Sequence, residues 1–301
     1  MKFVNYLVQL KLHSNTVAQH ERNTIKYLQW LQTENMTAAE ARYNDLMIFI
    51  QHLQQQKESI IYQNRMLISL RHYYNYLQKK EGHYSNPATG MKIQGMSRNI
   101  PHELLDTEEL QQLYYNYKTT DDRTRRNKVI VGLLIYQAVT TEELKQLESS
   151  HLKLRDGKIY IPGNENRNSR VLLLQPHQVI ELHEYITTIR INILQGNIIG
   201  NYGRKPNKKV NNTEQLFISM NGSPNIKNSL LHLVKALKKI NPKLRNAKHI
   251  RMSVIANWLK TNDIRKVQYM AGHKYVSSTE RYQAVNLEDL QQLIQQHHPM
   301  K

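Results

Sequence analysis

Apolar residues in the N-terminal part of the chain recur every three or four positions, which is the spacing of one buried helix face. This pattern predicts three helices, which begin at Ser14 and then cover about 38–56 and about 59–80. Ser14 and Thr16 are the candidate N-caps of the first helix. Pro87 and several glycines then interrupt the period. We therefore expect a helical domain over 1–82 and a linker over 83–102.

The pattern changes twice in the rest of the chain. Residues 128–139 contain an almost continuous apolar run, which is typical of a buried element. Residues 154–174 instead alternate between apolar and polar side chains and contain Gly157 and Pro162 at their turns. This alternation favours a short antiparallel β-meander. Because helical spacing returns afterwards, we expect a second domain over 103–301, and a fold that is mainly α with a small antiparallel β-sheet.

Composition narrows the choice of partner. The chain carries 42 Lys and Arg residues against 24 Asp and Glu residues, a formal net charge of +18 at pH 7. Such an excess of positive charge favours nucleic acid as the partner. The N-terminal residues lack the continuous apolar stretch of a signal peptide, so we expect a cytoplasmic, nucleoid-associated protein without a membrane partner.

The absence of cysteine excludes disulfides, thiolate metal sites and cysteine nucleophiles. No spacing of His, Asp and Glu typical of a metal site is seen either, so neither a metal nor another cofactor is expected.

Basic residues fall into clusters that are candidates for DNA contacts. The candidates are Arg123, Arg125, Arg126, Lys205, Lys208 and Lys239. For any single cluster, a solvated charged surface is the simpler interpretation.

The window 248–285 contains four polar residue types at fixed spacing. Lys248 is followed three residues later by Arg251, then by a Gly-His pair ending at His273, and nine residues after that histidine by Tyr282. This spacing resembles the C-terminal box of the tyrosine recombinases of the phage integrase family. The resemblance extends upstream to the three-helix unit, and thus covers nearly the whole chain.

The resemblance implies a Xer-like organisation, in which an N-terminal helical, SAM-like core-binding domain precedes a tyrosine recombinase catalytic domain. It implies double-stranded DNA as the substrate, a homotetramer assembled on two DNA sites, and in some members a DNA-bending accessory protein. An amphipathic helix predicted over about 286–296 is suited to exchange between protomers, or to packing on its own core.

The same resemblance assigns roles to the four residues. Tyr282 is expected to attack the phosphate and form a 3′-phosphotyrosyl link. Arg251 is expected to bind the nonbridging oxygens, and Lys248 and His273 to donate further hydrogen bonds and assist proton transfer. No metal is needed for this chemistry.

Two positions depart from the family pattern. Thr140 occupies the place of the first arginine, and Glu165 falls near the position of the hairpin lysine. Loss of one charged donor at a transition state costs about a hundredfold to a thousandfold in rate. The candidates for returning the charge of the first arginine are Lys145, Arg167 and Arg123, and the candidates for replacing the hairpin lysine are Arg167 and Lys158.

Three functions are therefore compared. The first is a catalytically active recombinase or integrase that acts at specific DNA sites, such as those of mobile elements, and the four retained residues favour it. The second is a catalytically impaired DNA-binding accessory or regulatory protein, which Thr140 and Glu165 favour. The third is a basic helical DNA binder, for which Tyr282 is simply one of the 18 tyrosines of the chain.

Overall fold

A computed structural model describes residues 2–82, 85–94, 103–196 and 213–283. The chain divides into two compact units, Met1–Asn99 and Ile100–Lys301, each with a hydrophobic core of its own. Among the described residues, none of the helices combines the length and the apolar character that crossing a bilayer would require.

The first unit is a helical bundle. Its helices are α1 (Phe3–Gln9), α2 (Ser14–Thr33), α3 (Tyr43–Gln55) and α4 (Ile60–Glu81). The three predicted helices are present, and α1 precedes them. The predicted caps Ser14 and Thr16 are wrong, because both lie inside α2 and Nδ1 of His13 accepts the N–H of Asn15 at 3.3 Å instead. Leu46, Phe49 and Leu70 are among the fully buried residues of the core.

Part of the segment predicted as a linker packs on this first core. Ala88 and Met91 are buried in it, and the Arg71 guanidinium donates to both of their carbonyl oxygens. The side chain of Asn86 closes the turn by accepting the N–H of Ala88 at 2.9 Å. The packed part of the chain therefore extends beyond α4.

The second unit combines eight helices, within its described ranges, with one small sheet. The helices are α5 (Thr107–Tyr115), α6 (Asp122–Tyr136), α7 (Thr141–Gln146), α8 (Pro176–Glu184), α9 (Arg190–Gln195), α10 (Lys227–Ile240), α11 (Ala247–Thr261) and α12 (Ile264–Ala271). A π-helical segment, Tyr185–Ile189, joins α8 to α9. The apolar run predicted as buried is the C-terminal part of α6, in which every residue from Val129 to Ile135 is buried.

The sheet is the predicted antiparallel meander. Strands β1 (Leu152–Lys153), β2 (Lys158–Ile161) and β3 (Arg170–Leu173) lie in that order. Ile161 pairs with Arg170 at one end of the β2–β3 hairpin and Lys158 pairs with Leu173 at the other. The mainly α fold with a small antiparallel sheet is thus confirmed.

Candidate active site

Five separate segments of the second unit converge on one site. They are α7 with Glu143, the β2–β3 connection with Arg167, β3 with Arg170, α11 with Arg251, and the segment after α12 with His273 and Tyr282. Hydrogen bonds, ion pairs or ring stacking link each of these side chains to another of the group.

Arg251 is fixed by backbone carbonyls from two different segments. One guanidinium nitrogen donates to the carbonyl of Ala138, and Nη2 donates to the carbonyl of Ala271 at 2.5 Å. Nη2 also lies 3.5 Å from Nε2 of His273. Burial and the charge of Arg167 lower the pKa of Arg251 to about 9, while Glu143 opposes this shift. The guanidinium therefore remains charged at neutral pH and keeps donors for a ligand.

His273 lies between Arg251 and Tyr282. Its Nδ1 is 2.8 Å from Oγ1 of Thr279, and its ring stacks on the Tyr282 ring with centroids 6.2 Å apart and planes 9° apart. Burial, followed by the charges of Arg251 and other nearby arginines, lowers the pKa of His273 to about 3. The imidazole is therefore neutral at pH 7 before any anion binds.

Tyr282 is buried, with 2% of its surface exposed, and its hydroxyl faces a cation. Nη2 of Arg281 donates to Oη of Tyr282 at 3.0 Å, and the guanidinium lies 4.9 Å from the centre of the ring. The proposed nucleophile is thus held between a guanidinium and the imidazole of His273.

Glu143 joins the arginines of the site. Arg170 binds it through two hydrogen bonds of 2.7 and 3.2 Å, and both side chains are fully buried. Burial alone would raise the pKa of Glu143, but the hydrogen bonds and charge of Arg170, with the backbone N–H of Thr140, lower it to about 2. Arg167 and Arg251 also lie within 4.0 Å of this carboxylate.

Gly272 is required by the geometry of the site. Its φ is +67°, and a Cβ atom there would lie 2.6 Å from Nη1 of Arg170 and 2.9 Å from the carbonyl oxygen of Asn168. A side chain at this position would push against the buried Arg170–Glu143 pair. The glycine of the Gly-His pair is therefore required for packing.

Sequence analysis did not identify Arg170, Thr279 or Arg281 as residues of the site. For Arg170 a signal was present, because in the alternating pattern of β3 it takes an inward position, where a charged residue needs a partner. Thr279 and Arg281 carry no such signal, since only the fold of the segment after α12 brings them to His273 and Tyr282.

The other residues that the sequence predicted for the site lie in different parts of the second unit. Lys248 is exposed on the first turn of α11, three residues from Arg251 and so on a neighbouring part of the helix surface. Thr140 is the N-cap of α7, and Glu165 is exposed at the tip of the β2–β3 connection. Lys158 lies at the far end of that hairpin, and Lys145 pairs with Glu142 at 2.7 Å.

The prediction that Arg126 contacts DNA is wrong. Its side chain is buried, donates to the carbonyl of Ile218 at 2.8 Å and bonds the side chain of Asn127, so its charge is used inside the core. Arg123, Arg125 and Lys239 are exposed. The candidates Lys205 and Lys208, and the helix predicted over about 286–296, lie outside the described residues.

Comparison with known families gives the same division of the chain. The sequence profile of the phage integrase family matches residues 103–289, and that of the phage integrase N-terminal SAM-like domain matches residues 1–81. The chain belongs to the phage integrase family. The integrase profile covers the whole convergent site, from Glu143 to Tyr282.

Individual relatives align with this integrase over most of its length. The tyrosine recombinase XerD of Oceanobacillus iheyensis is 25% identical over 99% of this chain and 97% of its own. The solved structure of XerH recombinase bound to its palindromic difH substrate has a TM-score of 0.73 and 17% identity, over 92% of this chain and 78% of that one. A lambda integrase tetramer bound to a Holliday junction has a TM-score of 0.63 and 10% identity, over 93% and 74%. These structures share the fold of this integrase.

Proposed function

We propose that this integrase is a site-specific recombinase that cleaves and rejoins double-stranded DNA through a 3′-phosphotyrosyl intermediate. The observation that supports this function is the placement of Tyr282, His273 and Arg251 in one cluster. The rings of Tyr282 and His273 stack, and Nε2 of His273 lies 3.5 Å from Nη2 of Arg251. A nucleophile, a proton-transfer group and a charged donor are thus adjacent.

In the proposed reaction, the Tyr282 oxygen bonds to phosphorus as its proton leaves, and the bond from phosphorus to the 5′ oxygen breaks. The departing 5′ oxygen takes up a proton, with Lys248 and His273 assisting the proton transfers. Arg251 binds the nonbridging oxygens, on which charge increases in the transition state. The tyrosyl phosphodiester conserves the bond, so the 5′ hydroxyl of another strand can reverse the step.

The partners follow from this function. Homologues with this fold are seen bound to DNA, and one of them as a tetramer on a junction. We propose that this chain also assembles as a homotetramer on two DNA sites, with an accessory DNA-bending protein where the DNA must be brought together, and that it acts in the cytoplasm at the nucleoid. Arg123, Arg125 and Lys239, together with Lys205 and Lys208, are proposed phosphate contacts.

The proposal is tested by trapping the covalent intermediate. The bound sequence is first selected from a random DNA pool, and a nicked duplex containing it is then incubated with the protein. Loss of the small fragment beyond the nick traps the cleaved strand. We expect a covalent protein–DNA adduct on a denaturing gel with the wild-type chain and none with Tyr282→Phe.

Tyr275→Phe is the matched control, because Tyr275 is 72% exposed and lies only seven residues away. This variant should form the adduct at the wild-type rate. If the wild-type chain binds the selected DNA in a salt-dependent manner without forming an adduct, the protein is the impaired accessory binder instead.

A further inference from the structure

Position 140, the N-cap of α7, lacks the positive charge that the family pattern places there. The hydroxyl of Thr140 donates to Oε2 of Glu143 at 3.0 Å and accepts the N–H of Glu143 at 3.2 Å. These bonds engage the hydroxyl proton inside the protein, and a neutral hydroxyl supplies no charge to a phosphate. A replacement charge therefore has to come from another element.

Arg167 reaches this turn from the β2–β3 connection. Its Nη1 lies 3.7 Å from Oε1 of Glu143, the third residue of α7. Its backbone forms a β-bridge with that of His273, and the N–H of Asn168 donates to the carbonyl of Gly272 at 3.0 Å. The connection that carries Arg167 is thus fixed directly to the segment that carries His273.

The guanidinium of Arg167 has an unused donor. Within the part of the chain that the structure describes, its buried Nη1 atom has no hydrogen-bond partner, and 3.7 Å to Glu143 is too long for a hydrogen bond. Buried donors without partners are rare in folded proteins, and a catalytic role is one explanation for them. The side chain as a whole is 31% exposed, so Arg167 is accessible from solvent although Nη1 itself is buried.

Positive charges outnumber negative charges around Glu143. Arg167, Arg170 and Arg251 surround the single carboxylate of Glu143, which leaves an excess of two positive charges among these four groups. Arg170 already satisfies Glu143 through two hydrogen bonds. A phosphodiester brings one negative charge, and more charge accumulates on its oxygens during attack, so it fits this excess.

The other candidates for the missing charge are engaged elsewhere. Lys145 pairs with Glu142, Lys158 lies at the opposite end of the hairpin, and Arg123 pairs with Asp121 at the start of α6. Of the four candidates, only Arg167 contacts Glu143 in the structure.

We propose that Arg167 is the second guanidinium of the active site and binds a nonbridging oxygen of the scissile phosphate beside Arg251. This role rests on the proposed strand cleavage. It explains how the site retains two guanidinium donors although position 140 is a threonine. Arg167 is then a catalytic residue supplied by the β-hairpin in place of the helix start.

The cleavage test compares variants on the nicked duplex. Arg167→Ala should slow adduct formation by about a hundredfold to a thousandfold, the usual effect of removing one preorganised donor. Arg167→Lys should recover part of the rate, because it keeps the charge and loses the planar fork. Adding Thr140→Arg to Arg167→Ala should recover most of it, because that change returns a guanidinium to the start of α7.

Two controls separate charge from folding. Thr140→Ala added to Arg167→Ala removes the same N-cap hydroxyl without adding charge, and should recover nothing. Arg155→Ala removes one exposed arginine from the turn between β1 and β2, and should cleave at the wild-type rate. Circular dichroism and thermal unfolding report whether each variant is folded.

A binding measurement tests Arg167 independently of cleavage. In the Tyr282→Phe background, Arg167→Ala should reduce the slope of log affinity against log salt by about 0.9, the value for one lost phosphate contact. Arg155→Ala should leave the slope unchanged. If the wild-type chain forms no adduct, the proposed cleavage fails, and this slope still decides whether Arg167 binds phosphate.

The role of Arg167 is overturned by either of two results. One is that Arg167→Ala cleaves at the wild-type rate and leaves the slope of log affinity against log salt unchanged. The other is that Arg167→Ala is folded and loses cleavage, while neither Arg167→Lys nor the addition of Thr140→Arg restores any of the rate.

Discussion

At the scale of single residues, the arginines of the site differ in the groups that hold them. Arg170 and Glu143 bind each other through two hydrogen bonds, whereas Arg251 is held by carbonyl oxygens, which carry no charge. Arg251 therefore keeps its charge available for a ligand while its position is fixed. Arg170 is thus bound within the protein, whereas Arg251 is the arginine that we propose binds the phosphate.

The protonation of His273 gives a prediction at this scale. Burial and the nearby arginine charges lower the pKa of His273 to about 3, from an ordinary value of 6.5. A depressed pKa means that this group contributes stability that is fully present above pH 6.5 and is lost as the pH falls from 6.5 towards 3. We expect its imidazole C–H resonance, followed by NMR, not to titrate between pH 7 and 5.

The resonance is assigned by its absence from the spectrum of His273→Gln, and the urea-unfolded chain is the reference for an ordinary histidine. A titration midpoint near 6.5 in the folded protein would contradict the prediction. Binding of a DNA phosphate beside His273 should move the midpoint upwards, because an anion stabilises the imidazolium.

At the scale of elements, the junction after α12 decides whether the site can assemble. Gly272 ends α12 in the left-handed conformation and approaches both β3 and the β2–β3 connection. One residue thus ends a helix, leaves room for Arg170 and positions His273.

Two matched glycine variants test this account. Gly157 has a φ of +61° and nothing within 4 Å of its added Cβ, whereas Gly272 has a φ of +67° and the close contact with Arg170. Gly157→Ala should cost about 1–2 kcal/mol of unfolding free energy from backbone strain alone. Gly272→Ala should cost about 3–5 kcal/mol more if it separates the buried Arg170–Glu143 pair.

Chemical denaturation of both variants measures the difference. Equal losses for Gly157→Ala and Gly272→Ala would mean that the neighbours of Gly272 move aside easily, so that the glycine is required only for its backbone conformation.

At the scale of the whole molecule, each unit has its own buried core. Residues 2–94 contain one core and the unit that begins at residue 100 contains the other. We therefore expect fragments 1–94 and 103–301 to fold separately, each with a helical circular dichroism spectrum and a cooperative thermal transition. A fragment that melts without cooperativity would show that its core depends on the other unit.

The same fragments test whether both units bind DNA. If both units contact one duplex, the full chain should bind the selected DNA at least about tenfold more tightly than either fragment, since the second contact becomes intramolecular. Gel-shift titrations at fixed salt measure this. Equal affinity of the full chain and fragment 103–301 would mean that the first unit does not contribute to binding.

The sequence alone determined much of the protein. Helical and alternating periods predicted α2, α3, α4 and the β-meander, because the spacing of buried side chains within one element is a local property. The spacing of Lys248, Arg251, His273 and Tyr282 indicated the family for the same reason, since these residues lie on consecutive elements of one short segment.

Only the tertiary structure decided which arginines belong to the site. Arg126, in a basic cluster, is buried in the core, whereas Arg170 and Arg167 reach Glu143 from a distant hairpin. An arginine looks the same in the sequence whether its long side chain faces solvent, a carbonyl oxygen or a carboxylate. Its role depends on which remote segment packs beside it, and packing between remote segments leaves no period in the sequence.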